Sequence, residues 1–348
     1  MSIAIQIRNP LLEQDWDEIA RSFPEAGFAH GAAWAKVLHR SYGYEPIYFA
    51  AMENGTAQGI FPVMEVDSFL TGKRAVALPF TDFCSPLAPD REVFRALLSA
   101  AIEAGNQRRW KFLEIRGGTD FLSNQPPWGR FFGHVLNLQK GEKAIRKGLR
   151  DSTWRNIKQA QTAGIKVFFS PSAQALDEFI RLNRTTRKAH GLPPQPPTFF
   201  EALHDHVISR ELGIVAIGDH YGKAVAAAVF LHFGGKVFYK YGASDRKFQH
   251  LRPNNLLMWE AILHFGRSGF QSLCFGRTEP EHEGLRQFKR GWGGEETRLC
   301  YYRYDFKKGA FVAGRFRSPA VSLGTRVFSH MPAPLVNALG PMIYRHIG

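Results

Sequence analysis

Between Tyr239 and Trp292 the order of apolar runs, glycines and a proline restricts the chain to strand, helix, strand, helix. The alternation Val237-Phe238-Tyr239-Lys240-Tyr241 has the two-residue period of a strand, and Gly242 is expected to break it. Pro253 opens a helix that either Asn254 or Asn255 can cap. Leu256, Leu257, Trp259, Ile262, Leu263 and Phe265 give that helix a broad apolar face, and Gly266 with Gly269 closes it. Ser272-Leu273-Cys274-Phe275 reads as a short buried strand. A second, short helix is then expected to carry Leu285 and Phe288 inward and to end on Lys289, with Trp292 in the core beyond it.

The rest of the chain divides around this block. At 348 residues it is too long for one ordinary core, and two domains are expected. Residues 1–138 read as a first α/β domain, with a helix near 32–40, strands at 46–52 and 58–66, a helix at 91–105 and a strand at 111–116. Residues 139–164 read as a basic helical segment between domains, 165–305 as the second domain, and 306–348 as a basic, apolar tail interrupted by Pro332, Pro334 and Pro341. The run Leu192-Pro193-Pro194-Gln195-Pro196-Pro197 favours extended backbone.

Hydrophobic residues make up 44% of the chain, which places it among folded globular proteins rather than disordered ones. Three cysteines without metal-like spacing point to a reducing compartment. The N-terminal alternation lacks the apolar core of a signal peptide, and no apolar run reaches the ~20 residues that span a bilayer. A cytoplasmic protein is expected, with the tail as a means of peripheral contact at the inner face of the membrane.

The net charge of +14 calls for an anionic partner. Between Lys140 and His190 twelve Lys/Arg face four Asp/Glu. Arg150, Trp154 and Lys158 share one helical face at four-residue spacing, with Arg155 beside them. These four are candidates for a phosphate-rich substrate; a plain solvated face is the alternative. Neither a Walker A loop nor Gly-x-Gly-x-x-Gly nor Gly-x-Ser-x-Gly occurs. His204 and His206 fall on different helix faces, so no metal site is expected. His190 and the acidic loop of Glu279, Glu281 and Glu283 are weaker candidates near a cleft.

The linked pieces Tyr-Lys-Tyr-Gly-Ala-Ser (239–244), Arg-Pro-Asn-Asn-Leu-Leu-Met-Trp-Glu-Ala (252–261), Cys-Phe-Gly-Arg (274–277) and Gly-Leu-Arg-Gln-Phe-Lys-Arg-Gly-Trp-Gly (284–293) resemble the acyl-transfer half of FemAB-like proteins, tandem members of the GNAT acyltransferase superfamily. Within that family the chain is most similar to the FemAB-like proteins that accompany PEP-CTERM/exosortase exopolysaccharide systems. The resemblance implies an α/β (α+β) fold of two tandem GNAT-like domains, each a mixed central sheet flanked by helices. It also implies an acyltransferase or aminoacyltransferase acting on an amine of a peptidoglycan or exopolysaccharide precursor. Lys289 would stabilise the oxyanion, with Phe288 orienting it. By position, Arg277, Tyr241 and Ser244 are expected to line the same cleft, and Arg116 to be the analogous residue of the first domain.

No bound cofactor is expected. The Arg/Gln-x-x-Gly-x-Gly/Ala loop of coenzyme A-binding GNAT enzymes is missing from 244–254, and the resemblance implies aminoacyl-tRNA as donor, with acyl-CoA as the alternative. A non-catalytic protein that binds glycan or nucleic acid through a basic cleft is the reading from a different class.

Overall fold

The strand periods of the N-terminal half become an antiparallel meander. In the computed structural model residues 3–314 and 343–346 are described. They group into two units, one of residues 3–131, 298–314 and 343–346, the other of residues 132–297. The first unit begins with β1 (Ala4–Arg8), α1 (Trp16–Arg21), α2 (Ala32–Tyr42), β2 (Glu45–Glu53), β3 (Thr56–Val66), β4 (Arg74–Val76), α3 (Arg91–Arg108), β5 (Phe112–Arg116) and α4 (Thr119–Leu122). Strands β1 to β4 pair antiparallel in order, and β4 then pairs parallel with β5. Helix α3 starts where the Asp90 carboxylate accepts from the amides of Glu92 and Val93, and it buries Val93, Phe94, Leu97 and Ala101 against the sheet.

The second unit follows with β6 (Gly129–Asn137), α5 (Glu142–Gly148), α6 (Asp151–Thr162), β7 (Ile165–Ser170), α7 (Ala173–Ala189), α8 (Pro197–His206), β8 (Gly213–His220), β9 (Lys223–Phe233), β10 (Lys236–Ser244), α9 (Pro253–Arg267), β11 (Ser272–Thr278) and α10 (Glu283–Arg290). Strands β7 to β10 form a second antiparallel meander, and β10 pairs parallel with β11. Chain order and strand order then part company. The strand beside β11 is β6, antiparallel, from far upstream. The strand beside β5 is β12 (Glu295–Asp305), antiparallel and closed by the short β13 (Ala310–Phe311), from far downstream. Each unit thus repeats one pattern: an antiparallel meander, one parallel pair, one antiparallel strand.

Several local expectations are corrected. The segment 141–164 is two helices, because Leu149 and Arg150 are both extended, with ψ of 144° and 140°. Ile145, Leu149, Ile157 and Ala160 lie in the core of the second unit with Trp259 and the fully buried Trp292. Gly242 does not break its strand: β10 runs through it to Ser244. Neither Asn caps α9. Arg252 is the N-cap, in the left-handed region at φ 59°, and Pro253 takes the first helical position. Among the described residues no helix is long and apolar enough to cross a membrane. The proline-interrupted part of the tail, 315–342, lies outside the described residues.

Candidate active site

The parallel strands β10 and β11 share hydrogen bonds only from Lys236↔Ser272 to Phe238↔Cys274. Beyond that point β10 follows β9 as far as Ser244, while β11 follows β6 as far as Thr278. The two strands part at their carboxyl ends, where sheets of this kind open a crevice for ligands. A cavity of about 620 Å³ lies in the second unit, along the diverging part of β10.

Its floor is Tyr239, Gly242 and Ser244 of β10. A bulge between Tyr239 and Tyr241 sets this lining, because one extra residue moves side chains to the other face. Tyr241, expected in the cleft, instead packs on Phe179 and Phe199. Tyr239, not expected there, lines the cavity, and its hydroxyl occupies the space that a Cβ on residue 242 would need. Burial pushes the Tyr239 phenol up to about 12, so it stays protonated at neutral pH.

One wall is the end of α7. The Thr186 hydroxyl donates to the Ser244 carbonyl (3.3 Å) and accepts from the Ser244 amide (3.2 Å), tying helix to strand. The helix ends in a left-handed Gly191 (φ 64°), with the Leu192 amide reaching back to the Arg187 carbonyl, and this turn sets His190 at the cavity rim. Arg187 Nε on the Pro193 carbonyl (2.7 Å) fixes the proline run that follows. The far rim is the 3-10 turn Arg246–Leu251 and the start of α9, where Asn254 Nδ2 donates to Ser244 Oγ (3.1 Å). Phe288 and Leu285 of α10 close the lining, and Leu285, expected inside, is 41% exposed. Among the described residues no carboxylate lines the cavity; its ionisable groups are Tyr239, His190 and Arg246.

Lys289 is a buried lysine, 4% exposed. Its ammonium donates to the carbonyls of Gly276 (3.0 Å) and Arg277 (2.8 Å). The register of β11 against β6 shifts between Cys274 and Arg277, and Gly276 has φ 72°; this bulge turns both carbonyls toward the ammonium. Lys289 is therefore set at the end of β11, next in sequence to the cavity-lining Phe288 but not itself in the lining.

The helix that carries it is clamped. Glu296 receives two hydrogen bonds each from Arg286 (2.8 and 2.7 Å) and Arg290 (2.9 and 2.7 Å), and one from His134 Nε2 at 2.9 Å. These guanidiniums, Arg286 foremost, hold the Glu296 carboxyl far below its ordinary range. His134 is fully buried, with Nδ1 lacking a hydrogen-bond partner. Burial first, and the charge of Lys289 second, keep it neutral by lowering its pKa.

The other nominated residues lie elsewhere. Arg277 pairs with Glu279 (3.3 Å). Arg116, in the first unit, is held by Glu114 (3.0 Å) and by the carbonyls of Leu78 and Thr81. Trp154 packs edge-on against Trp259, with Arg146 and Lys158 over its ring; Arg150, Arg155 and Lys158 are exposed, and none of them lines the cavity.

The fold defines a class: two α/β units, each with a meander and a splayed or single parallel pair, are the architecture of tandem GNAT proteins. Residues 147–290 match the acetyltransferase (GNAT) domain family. The chain superposes on FemX with a TM-score of 0.70 at 15% identity, over 85% of this chain and 96% of that one. A tandem GNAT protein from the clavulanic acid biosynthesis pathway gives 0.55 at 11% identity, over 88% and 99%. In sequence, 78 residues are 32% identical to a lipid II:glycine glycyltransferase of Staphylococcus epidermidis, 21% of this chain and 19% of the relative. The match thus spans about a fifth of the length of that curated relative. In sequence and in fold the chain resembles FemAB-like GNAT proteins.

Proposed function

We propose that this protein is a FemAB-like acyltransferase that moves an aminoacyl group from an ester donor to an amine of a peptidoglycan precursor. The observation that carries the reading is the cavity at the parting of β10 and β11, closed by the Phe288-Lys289 helix in the segment with GNAT similarity. The match to a lipid II:glycine glycyltransferase supports a lipid-linked peptidoglycan precursor as acceptor; an exopolysaccharide amine is the narrower variant that the sequence resemblance implies.

In this reading a neutral amine attacks the ester carbonyl. The C–N bond forms, the C–O bond breaks, and the proton of the amine ends on the departing oxygen. Such a step needs position and charge stabilisation more than covalent help. Lys289 supplies positive potential where the oxyanion develops, and its two carbonyl partners hold the ammonium there beforehand. The hydroxyl and amide groups of Thr186, Ser244 and Asn254 orient the donor. Arg150, Arg155 and Lys158 would meet the phosphates of a large anionic substrate.

For the donor, the loop between β10 and α9 favours an ester of tRNA over coenzyme A. The amides of Lys247, Phe248 and Arg252 are used within the loop by Asp245 and Gln249, and Pro253 has no N–H to give a pyrophosphate. The test is transfer of labelled amino acid from charged tRNA to a lipid-linked peptidoglycan precursor, with acetyl-CoA in parallel. Transfer from charged tRNA alone is expected, with no saturable acetyl-CoA binding below about millimolar. Transfer from acetyl-CoA would replace the donor, and turnover with neither would leave a binding protein.

A further inference from the structure

The turn between β3 and β4 inverts the usual distribution of a surface loop: its polar side chains face in and its large apolar ones face out. Ser68 is 3% exposed and Arg74 4%, whereas Phe69 is 84% and Leu70 67% exposed. Single exposed apolar residues are ordinary. Two adjacent ones on a braced turn are not. Ser68 Oγ accepts from the amide of Thr71 (3.0 Å) and from its hydroxyl (2.9 Å), and contacts His346 Nδ1 at 2.9 Å. The Gly72 amide bonds the Ser68 carbonyl at 2.6 Å. Arg74 reaches Thr71 Oγ1 (2.5 Å) and the His346 carbonyl (2.8 Å), and Lys111 Nζ donates to the Thr71 carbonyl at 3.0 Å. The turn is thus held from beneath, and Phe69 and Leu70 stay outside.

Charge around the tip is also biased. Over 65–74 and 108–111 the chain carries Lys73, Arg74, Arg108, Arg109 and Lys111 against Glu65 and Asp67. An apolar tip with a cationic surround matches the two layers of an anionic bilayer surface, acyl chains beneath phosphates. We propose that the Phe69-Leu70 turn is a lipid-contact element that inserts into the surface of an anionic membrane. This goes beyond the acyl-transfer reading and does not depend on it. It gives the first unit a role of its own.

The test is sedimentation of the full chain with vesicles of phosphatidylcholine alone and of phosphatidylcholine with phosphatidylglycerol. Binding to the anionic vesicles is expected, weakened by salt. Phe69→Ser with Leu70→Ser should bind them at least about tenfold more weakly, from the apolar burial lost, at unchanged melting temperature, since both side chains are exposed. No binding by the parent chain would overturn the proposal. So would equal binding by the double variant, which would put any lipid contact in the basic tail. A parent dimer that the double variant loses in vesicle-free solution would assign the tip to self-association instead.

Discussion

Lys289 is one residue after the cavity wall, yet its chemistry depends on what lies under it. A lysine at a helix end is ordinarily a solvated point charge; here two carbonyls of a bulged strand hold the ammonium in a buried place. Lys289→Ala should lower turnover by roughly 10²–10³-fold if the ammonium stabilises the oxyanion. It should also reduce stability by about 1–3 kcal/mol, because Gly276 and Arg277 lose a donor. Single-turnover rates measured well below both melting temperatures separate the two effects, and an unchanged rate in folded Lys289→Ala would remove the residue from the chemistry. Lys289→Arg should be impaired too, since a planar fork does not fit a site shaped for a compact ammonium. The sequence pointed to this lysine through the Phe-Lys pair. Its burial was not legible there, because it depends on the β11 bulge.

At the scale of elements, β10 decides the cavity. Its bulge between Tyr239 and Tyr241 exchanges which tyrosine faces the ligand, and Gly242 leaves room for the Tyr239 hydroxyl. Gly242→Ala should therefore push the Tyr239 ring into the cavity and weaken donor binding by about tenfold or more, a cost of at least ~1.4 kcal/mol. Adding Tyr239→Phe removes the clashing atom and should restore much of that binding. Strictly additive losses in this double-mutant cycle, measured as donor affinity, would show that the two positions do not share the floor. A strict two-residue alternation puts Tyr241 in the cleft and takes Gly242 as a break; one inserted residue reverses both. The helix caps were equally out of reach. Asn254 has a cap's chemistry, but Ser244, ten residues earlier, supplies its partner.

For the molecule as a whole, buried histidines set the response to acid. His134 titrates below its ordinary 6.5, through burial and then through Lys289, and burial lowers His232 and His264 as well. A histidine with a depressed folded pKa takes up its proton more readily when unfolded. Its contribution to stability is then complete above the unfolded pKa and is lost as pH falls through that value toward the folded one. Urea midpoints should therefore fall between about pH 7.5 and 5.5, and His134→Gln, which can still donate to Glu296, should flatten that fall. An identical slope in the variant would mean that His134 is not buried neutral. Glu296 works the other way around a carboxylate: its arginine partners stabilise the charged form, and that contribution is lost only in stronger acid.

What the amino-acid order determined by itself is local: strands where apolar residues alternate, helices at 32–42 and 253–267 where they recur every three to four, the apolar Trp292, and the family-like Phe288-Lys289 pair. These follow from side-chain periodicity within a few residues. Which strands lie side by side did not. β6 joins β11, Leu136 opposite Leu273, and β12 joins β5, Tyr302 opposite Ile115, so each unit is completed by a strand from the far part of the chain. The bonds that pair strands are backbone N–H to C=O, the same for nearly every residue, and they carry no address in the sequence. Only burial of both sheets' apolar faces at once selects the partners, and with them the divergence of β10 and β11 in which the cavity forms.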